Sequence, residues 1–268
     1  VDIEPEEIGR NRSVDLAVVS DIRALLKECN RIIETERMTE GLKAAFGEWV
    51  GTLSTAERES KDRTCSQWEC ADVPIHAMRL ASEVNAFMDR EDDVVVSDGG
   101  DAQIWMGMTR TIRRPGHYLD ANLYGCLGVG LPYANTAKLL NPGKRVCLFT
   151  GDGSLGFNFM EFETAVRKGI ATVTVISNDL GWGMIRHSQQ LRIGHHIKAG
   201  TEIGYVPYHK LVEALGGVGL EVDSPGDIRP ALEEAFASGK TACINVMTDP
   251  DTISPGSIAL ANLGSYKA

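Results

Sequence analysis

Two short polar motifs in the middle of the chain combine the residue types that hold a metal ion and a phosphate group. The first is Gly151-Asp152-Gly153, which follows the apolar segment 145–150 and precedes a stretch of helical periodicity. A carboxylate is a ligand that suits Mg²⁺, and the free N–H groups at the start of a helix attract anions. The carboxylate alone would repel a phosphate, so a divalent cation between them would resolve the conflict. Taken by itself, such a tripeptide is more often an ordinary turn.

The second motif is Asn178-Asp179, which follows Gly153 after a gap of 24 residues and ends the apolar segment 171–177. A gap of this length holds one helix and one strand, so the chain returns to the same edge of a parallel sheet. Oxygen donors from two neighbouring strand ends would then meet at one cation. The alternative is a second ordinary turn.

Strands and helices alternate along the sequence from residue 74 onward. This alternation predicts an α/β fold: a doubly wound, mostly parallel sheet with helices on both faces. The predicted strands are 93–97, 145–150, 171–177, 220–222 and 242–247, and the predicted helices are 75–88, 126–140, 158–168, 208–215 and 227–237. Before them, 15–28 has helical spacing and 30–60 is helix-like, whereas the polar segment 58–72 indicates a linker.

The two motifs with their 24-residue gap resemble the thiamine-diphosphate motif. Further segments resemble the carboxyl-terminal domain of the acetolactate synthase superfamily, and within it the chain is most similar to benzaldehyde lyase and 2-hydroxyacyl-CoA lyase. These segments are 96–100, 123–130, 161–168 and 242–246. The resemblance covers nearly the whole chain and implies the thiamine-diphosphate-binding fold.

The resemblance also divides the chain into parts. Residues 3–12 resemble the end of the middle domain of those enzymes, so 1–30 is expected to be the remnant of that domain. A helical linker over 31–73, the diphosphate- and Mg-binding domain over 74–250 and a tail or lid over 251–268 would follow.

The resemblance implies a role for each matching residue. Asp152, Asp179 and the Gly181 carbonyl would bind Mg²⁺, although the family usually has Asn where Asp179 stands. Backbone N–H groups of Gly153 and Ser154 would bind the diphosphate. Leu127 would hold the cofactor in its bent form, unless it is plain core. The complete implied cofactor set is Gly100, Asp101, Ala102, Gly125, Leu127, Gly151, Asp152, Gly153, Ser154, Asn178, Asp179, Gly181, Trp182, Gly183 and Met184.

The residues after the metal motif are expected to line the substrate entrance. They are Trp182, Met184, Ile185 and His187, although the first two could equally be core and the histidine a hydrogen-bonded one. Ser188 stands where acetolactate synthases typically carry the Trp that selects the second keto acid. The segment therefore favours the lyase and carboligase branch.

The implied activity is cleavage or formation of a C–C bond beside a carbonyl, on a small carbonyl compound or an acyl-CoA. A 2-keto acid carboligase of the acetolactate synthase type and a non-catalytic assembly or regulatory module are the alternatives. The resemblance places the activating glutamate in a pyrimidine-binding domain or subunit, so no catalytic residue is expected here. It also implies a dimer or tetramer of active units.

Composition excludes several other classes of function. The chain has 268 residues, of which 43% are hydrophobic, and a formal net charge of −10. This charge argues against nucleic acid or an anionic membrane as partner, and no apolar stretch reaches the roughly 20 residues of a membrane span. Six scattered cysteines fit a reducing, cytoplasmic compartment.

The chain opens with Val1 in what resembles a strand already in progress, so we expect a fragment, a processed product or half of a split enzyme.

Overall fold

The computed structural model describes residues 1–121 and 124–263 and divides the chain into two units, Val1–Thr64 and Cys65–Ala268. Part of the glycine-rich segment 123–130 and the end of the predicted tail therefore lie outside the described residues. Two helices begin in the first unit, α1 (Ile22–Thr35) and α2 (Thr39–Trp68).

Both helices differ from the sequence prediction. Helix α1 begins later than predicted because the Asp21 side chain accepts a hydrogen bond from the Ala24 N–H and so caps its start. Helix α2 continues through most of the predicted linker 58–72, where pairs such as Glu57–Lys61 stabilise its exposed surface. The predicted strand at the amino terminus is reduced to one bridge between Asp2 and Val19.

The second unit is built on six parallel strands in the order β2-β1-β3-β4-β6-β5. The strands are β1 (Val94–Asp98), β2 (Tyr118–Leu119), β3 (Val146–Gly151), β4 (Val173–Asn178), β5 (Val218–Val222) and β6 (Ala242–Met247). The helices are α3 (Ala77–Phe87), α4 (Asp101–Thr109), α5 (Gly130–Leu140), α6 (Asp152–Gly156), α7 (Glu161–Lys168), α8 (Gly183–Ile193), α9 (Lys198–Thr201), α10 (Tyr208–Ala214), α11 (Ile228–Ala237) and α12 (Pro255–Leu263).

Helices cover both faces of this sheet, which confirms the predicted fold class. Side chains alternate between the faces, so Cys147 and Phe149 of β3 pack with α3, α4 and α11, while Val146 and Leu148 pack with α5, α7 and α10. The central strands are consequently buried on both sides, as their continuous apolar sequences require.

The strand order creates a crevice at the carboxyl ends of β1 and β3. These strands are neighbours, with Asp98 paired to Thr150, but the chain leaves β1 toward β2 on one side and β3 toward β4 on the other. In open parallel sheets, ligands bind where the strand order reverses in this way. Both sequence motifs lie here, because Gly151 of β3 is paired with Ser177 of β4.

Several helices near this crevice lie outside the predicted set. Helix α4 starts directly after β1, α8 follows the second motif, and α12 occupies much of the predicted tail. The predicted helix 158–168 is observed as α7, and the short helix α6 begins at Asp152 itself, where the sequence predicted a turn. Across residues 1–121 and 124–263, none of the helices has the length and apolar character of a membrane span.

Candidate cofactor and metal site

A cavity of about 500 Å³ opens at the carboxyl ends of β1, β3 and β4. Fourteen residues of the implied cofactor set line it, all but Asn178. They come from four separate parts of the chain: Gly100, Asp101 and Ala102 after β1; Gly125 and Leu127 before α5; Gly151, Asp152, Gly153 and Ser154 at the end of β3 and in α6; and Asp179, Gly181, Trp182, Gly183 and Met184 after β4. The topology therefore brings together residues that are far apart in sequence.

The Asp152 carboxyl group is buried with one oxygen unpartnered. The residue is 1% exposed at the start of α6, and its Oδ1 accepts a hydrogen bond from the Gly153 N–H at 2.9 Å. Its Oδ2 has no hydrogen-bond partner among the described residues. Because a buried, unpaired polar atom is costly, this oxygen marks a position that suits a cation.

Asp179 brings a second carboxyl group to the same place. It lies within hydrogen-bonding reach of the Asp152 carboxyl group, and its Oδ2 accepts from Arg186 Nη2 at 2.8 Å. Burial, and then the charge of Asp179, raise the pKa of Asp152 to about 8. Burial also raises the pKa of Asp179, although the nearby Arg186 guanidinium acts in the opposite direction. One divalent cation between the two carboxylates would remove both penalties.

The donor set fits Mg²⁺ better than a transition metal. Within the described ranges, no group of three or more His, Cys, Asp and Glu side chains could hold a metal ion, so further ligands must be backbone, cofactor or water oxygens. Hard oxygen donors of this kind, with few protein carboxylates, are typical of Mg²⁺ bound together with phosphate. Gly181 lines the cavity beside Asp179, where its carbonyl was predicted to serve as a ligand.

Two helices present their first N–H groups to the cavity. Helix α4 begins at Asp101 and α6 at Asp152, and the N–H groups of a first turn have no carbonyl partner within their own helix, although the Gly153 N–H already donates to Asp152 Oδ1. Both helix starts line the cavity, and free N–H groups of this kind suit the phosphates of a diphosphate.

Trp182 and Met184 pack against backbone that must be glycine. A Cβ on Gly153 would come within 2.8 Å of Trp182 Cε3, and one on Gly100 within 2.9 Å of Met184 Cβ. Both side chains therefore form the wall of the cavity, whereas Ile185, also lining it, is 50% exposed at its mouth.

The structure corrects the expected roles of two residues. Asn178 is fully buried behind the wall; its Nδ2 donates to Asn245 Oδ1 at 2.9 Å and its Oδ1 accepts from the Leu180 N–H at 3.1 Å. It thus shapes the turn in which Leu180 adopts a φ of 64°. His187 is 1% exposed and hydrogen-bonded on both ring nitrogens, so it does not lie at the substrate entrance as predicted.

Asp98, which the sequence analysis missed, organises one side of the cavity. The residue is 1% exposed and accepts hydrogen bonds from the N–H groups of Gly99 at 2.7 Å, Gly130 at 2.8 Å and Gly128 at 3.3 Å. It thereby ties the segment that carries Gly125 and Leu127 to the end of β1. The sequence feature that could have identified Asp98 is an acidic residue at the end of a buried strand, followed by a glycine-rich segment whose N–H groups need acceptors.

Comparison with known proteins points to one family. A family model described as "Thiamine pyrophosphate enzyme, C-terminal TPP binding domain" matches residues 98–246. The chain is 41% identical over 207 residues, 77% of its length, to a probable acetolactate synthase of Mycobacterium bovis. It is 32% identical over 260 residues, 93% of its length, to a 2-hydroxyacyl-CoA lyase of Arabidopsis thaliana. The chain spans less than half of these relatives, 38% of the first and 44% of the second.

Proposed function

Because this chain belongs to the thiamine pyrophosphate enzyme family, whose C-terminal TPP-binding domain it contains, we propose that it forms the diphosphate- and magnesium-binding part of an enzyme that cleaves or makes C–C bonds beside a carbonyl. The buried Asp152 carboxyl group, which has one unpartnered oxygen and lies close to the Asp179 carboxyl group, carries this proposal. A module kept only for assembly would gain nothing from two buried carboxyl groups placed so close together.

Each group of cavity residues has a distinct task in this proposal. Asp152, Asp179 and the Gly181 carbonyl hold Mg²⁺, while the N–H groups that open α4 and α6 hold the diphosphate. Leu127 supports the bent form of the cofactor, and Trp182 and Met184 exclude water from its inner side. When bound, the cofactor supplies an electron sink for the carbon beside the carbonyl.

The chain needs a second domain to complete the active site. Among the described residues that line the cavity, the acidic groups are Asp101, Asp152, Asp179 and Asp249, and none is a glutamate. We therefore place the activating glutamate in a pyrimidine-binding domain, supplied by another chain or another part of the same protein. Two domains then enclose each cofactor, and we further propose that the active assembly is an oligomer.

For the substrate we propose a 2-hydroxy ketone or 2-hydroxyacyl-CoA, cleaved or formed by lyase or carboligase chemistry. Ser188 in place of a tryptophan on α8, and similarity to a 2-hydroxyacyl-CoA lyase over 93% of the chain, support this choice. The second candidate is 2-keto acid carboligation, which the 41% identity to a probable acetolactate synthase favours.

Cofactor binding tests the first step of this proposal. We expect isothermal titration calorimetry to show that thiamine diphosphate binds only with Mg²⁺ present, and that Asp152→Ala abolishes binding while circular dichroism shows an intact fold. Asp223→Ala, an exposed aspartate after β5, is the matched control. Unchanged affinity in Asp152→Ala would overturn the assignment.

Substrate choice is tested on the assembled protein with its pyrimidine-binding domain. Cleavage of benzoin or of a 2-hydroxyacyl-CoA would support the lyase proposal. Acetolactate formed from pyruvate, with neither cleavage, would support the second candidate. Full activity of the chain without any such domain would contradict the proposed division of the active site.

A further inference from the structure

Buried polar contacts join the segment 250–263 to the wall of the cofactor cavity, and Asp101 is their centre. Its Oδ1 accepts hydrogen bonds from the hydroxyl groups of Ser254 and Ser257, each at 2.6 Å, and its Oδ2 lies 2.8 Å from Nδ1 of His187. The carboxylate begins α4, where the free N–H groups of the helix favour a negative charge. Three donors and a helix start therefore converge on one ionised group.

His187 is held on both sides of its ring. Its Nε2 lies 2.9 Å from the Pro250 carbonyl oxygen, which can only accept, so Nε2 carries a proton. The Asp101 carboxylate requires a donor in the same way, so Nδ1 carries a proton too. The ring is thus an imidazolium, although its side chain is only 2% exposed.

The pKa directions of the two partners agree with this assignment. Burial acts to lower the pKa of His187, but its hydrogen bonds to Asp101 and Pro250 outweigh burial and raise the pKa overall. Burial likewise acts to raise the pKa of Asp101, and the hydrogen bonds from His187, Ser254 and Ser257 together lower it. The pair is buried and charge-assisted, and hydrogen bonds of this type are stronger than those between neutral groups.

Pro250 connects this pair to α8. Its carbonyl oxygen also accepts from Arg186 Nη2 at 2.8 Å, so two cationic side chains of α8 hold one backbone group. Beyond it, α12 packs on α4 and α8. Thr252 and the α4 residue Ile104 both line the cavity, so the position of segment 250–263 determines part of the cavity wall.

We propose that His187 is a positioning residue: it locks segment 250–263 onto α4 and so fixes the cavity wall formed by the start of α4 and by Thr252. Without this imidazolium the Asp101 carboxylate would lose its ion-pair partner and segment 250–263 would lose one of its attachments to α8. The serine contacts to Asp101 and the hydrogen bonds from Arg186 to the Pro250 carbonyl and from Arg192 to the Leu260 carbonyl would remain, so α12 would be held less tightly. The consequence for cofactor affinity rests on the proposed function, whereas the locking of α12 does not.

Hydrogen exchange of the metal-free, cofactor-free protein tests the locking directly. In His187→Gln we expect amides of α12 to exchange at least about tenfold faster than in the wild type, because one charge-assisted contact is lost. We expect the same in the double variant Ser254→Ala/Ser257→Ala, which removes the contact from the other side. His195→Gln, an exposed histidine just after α8, is the control and should leave exchange unchanged.

Unchanged α12 exchange in a folded His187→Gln variant would overturn the proposal. If that variant does not fold, ¹⁵N chemical shifts of His187 in the wild type decide: an imidazolium signature at pH 7 supports the proposal and a neutral ring overturns it. In the wild type with Mg²⁺, thiamine diphosphate should slow α12 exchange further. If only this last effect failed, the proposed cofactor would be contradicted but not the locking, because the locking is measured in the cofactor-free protein.

Discussion

The carboxyl groups of Asp152 and Asp179 lie within hydrogen-bonding reach of each other at the ends of two adjacent parallel strands. The raised pKa of Asp152, about 8, means that the folded protein retains a proton that the unfolded chain releases near pH 4. Stability from this group is therefore complete below pH 4 and is lost as pH rises toward 8.

We accordingly predict that the melting temperature of the metal-free protein falls between pH 5 and pH 8 more steeply than that of Asp152→Asn, whose amide does not ionise. The difference between the two proteins isolates this group from the other titrating residues. Differential scanning calorimetry measures both curves. Parallel curves would show that Asp152 ionises normally in the fold.

Metal loading should release the proton that Asp152 retains. At pH 7 we expect binding of Mg²⁺ with thiamine diphosphate to release about one proton, and at pH 9 almost none, because the pKa of the group lies near 8. Titration calorimetry in buffers of different ionisation enthalpy counts these protons. Equal release at both pH values would contradict the pairing.

Because Trp182 approaches Gly153 closely, we predict that alanine at Gly153 destabilises the protein much more than alanine at Gly156, at the other end of α6. Gly153→Ala places a methyl group 2.8 Å from the indole ring, so we expect a loss of about 1–3 kcal/mol in stability and weaker cofactor binding. Gly156→Ala meets no atom within 4 Å and should be neutral or slightly stabilising. Urea unfolding of both variants checks this, and similar effects would contradict it.

Asn178 should matter for stability more than for direct ligand contact. Asn178→Ala leaves the buried Asn245 side chain and the Leu180 N–H without their partner, which costs about 1–3 kcal/mol. Asn30→Ala, on the exposed surface of α1, should change stability by less than about 0.5 kcal/mol. Chemical denaturation measures both. A neutral Asn178→Ala would show that the turn holds without this side chain.

Cysteine reactivity should follow burial. Burial raises the pKa of Cys147 to about 12 and also raises that of Cys243, so neither forms a thiolate at neutral pH. We expect iodoacetamide to modify the exposed Cys29 and Cys126 in the native protein and to reach Cys147 and Cys243 only after denaturation. Peptide mass spectrometry identifies the sites, and native modification of Cys147 would contradict its burial.

The sheet was predictable because its central strands are covered on both faces. Such strands are largely apolar along their length, and β6 was predicted with its observed ends, 242–247. The carboxyl-end rule for parallel sheets then placed Asp152 and Asp179 together without any coordinates.

The remaining elements depend on contacts between distant parts of the chain. Helix α12 contains Pro, Gly and Ser, a composition typical of a loop. Ser254, just before it, and Ser257, in its first turn, are held by Asp101, more than a hundred residues earlier. The burial of His187 likewise depends on Pro250, and that of Asn178 on Asn245. Local sequence carries no signal for partners at such separations, so polar residues were assigned to a ligand when their partner is the protein itself.

The hydrogen bonds of Asp98 have a practical consequence for engineering. This one side chain holds both the turn after β1 and the segment at Gly128 and Gly130. A change at Asp98 is therefore expected to displace both of these parts of the cavity wall together. A library that randomises Ile185 to alter substrate preference can therefore vary the mouth of the cavity without touching Asp98 or its hydrogen bonds. Substitutions of Asp98 would remove these hydrogen bonds, so this position is best kept constant.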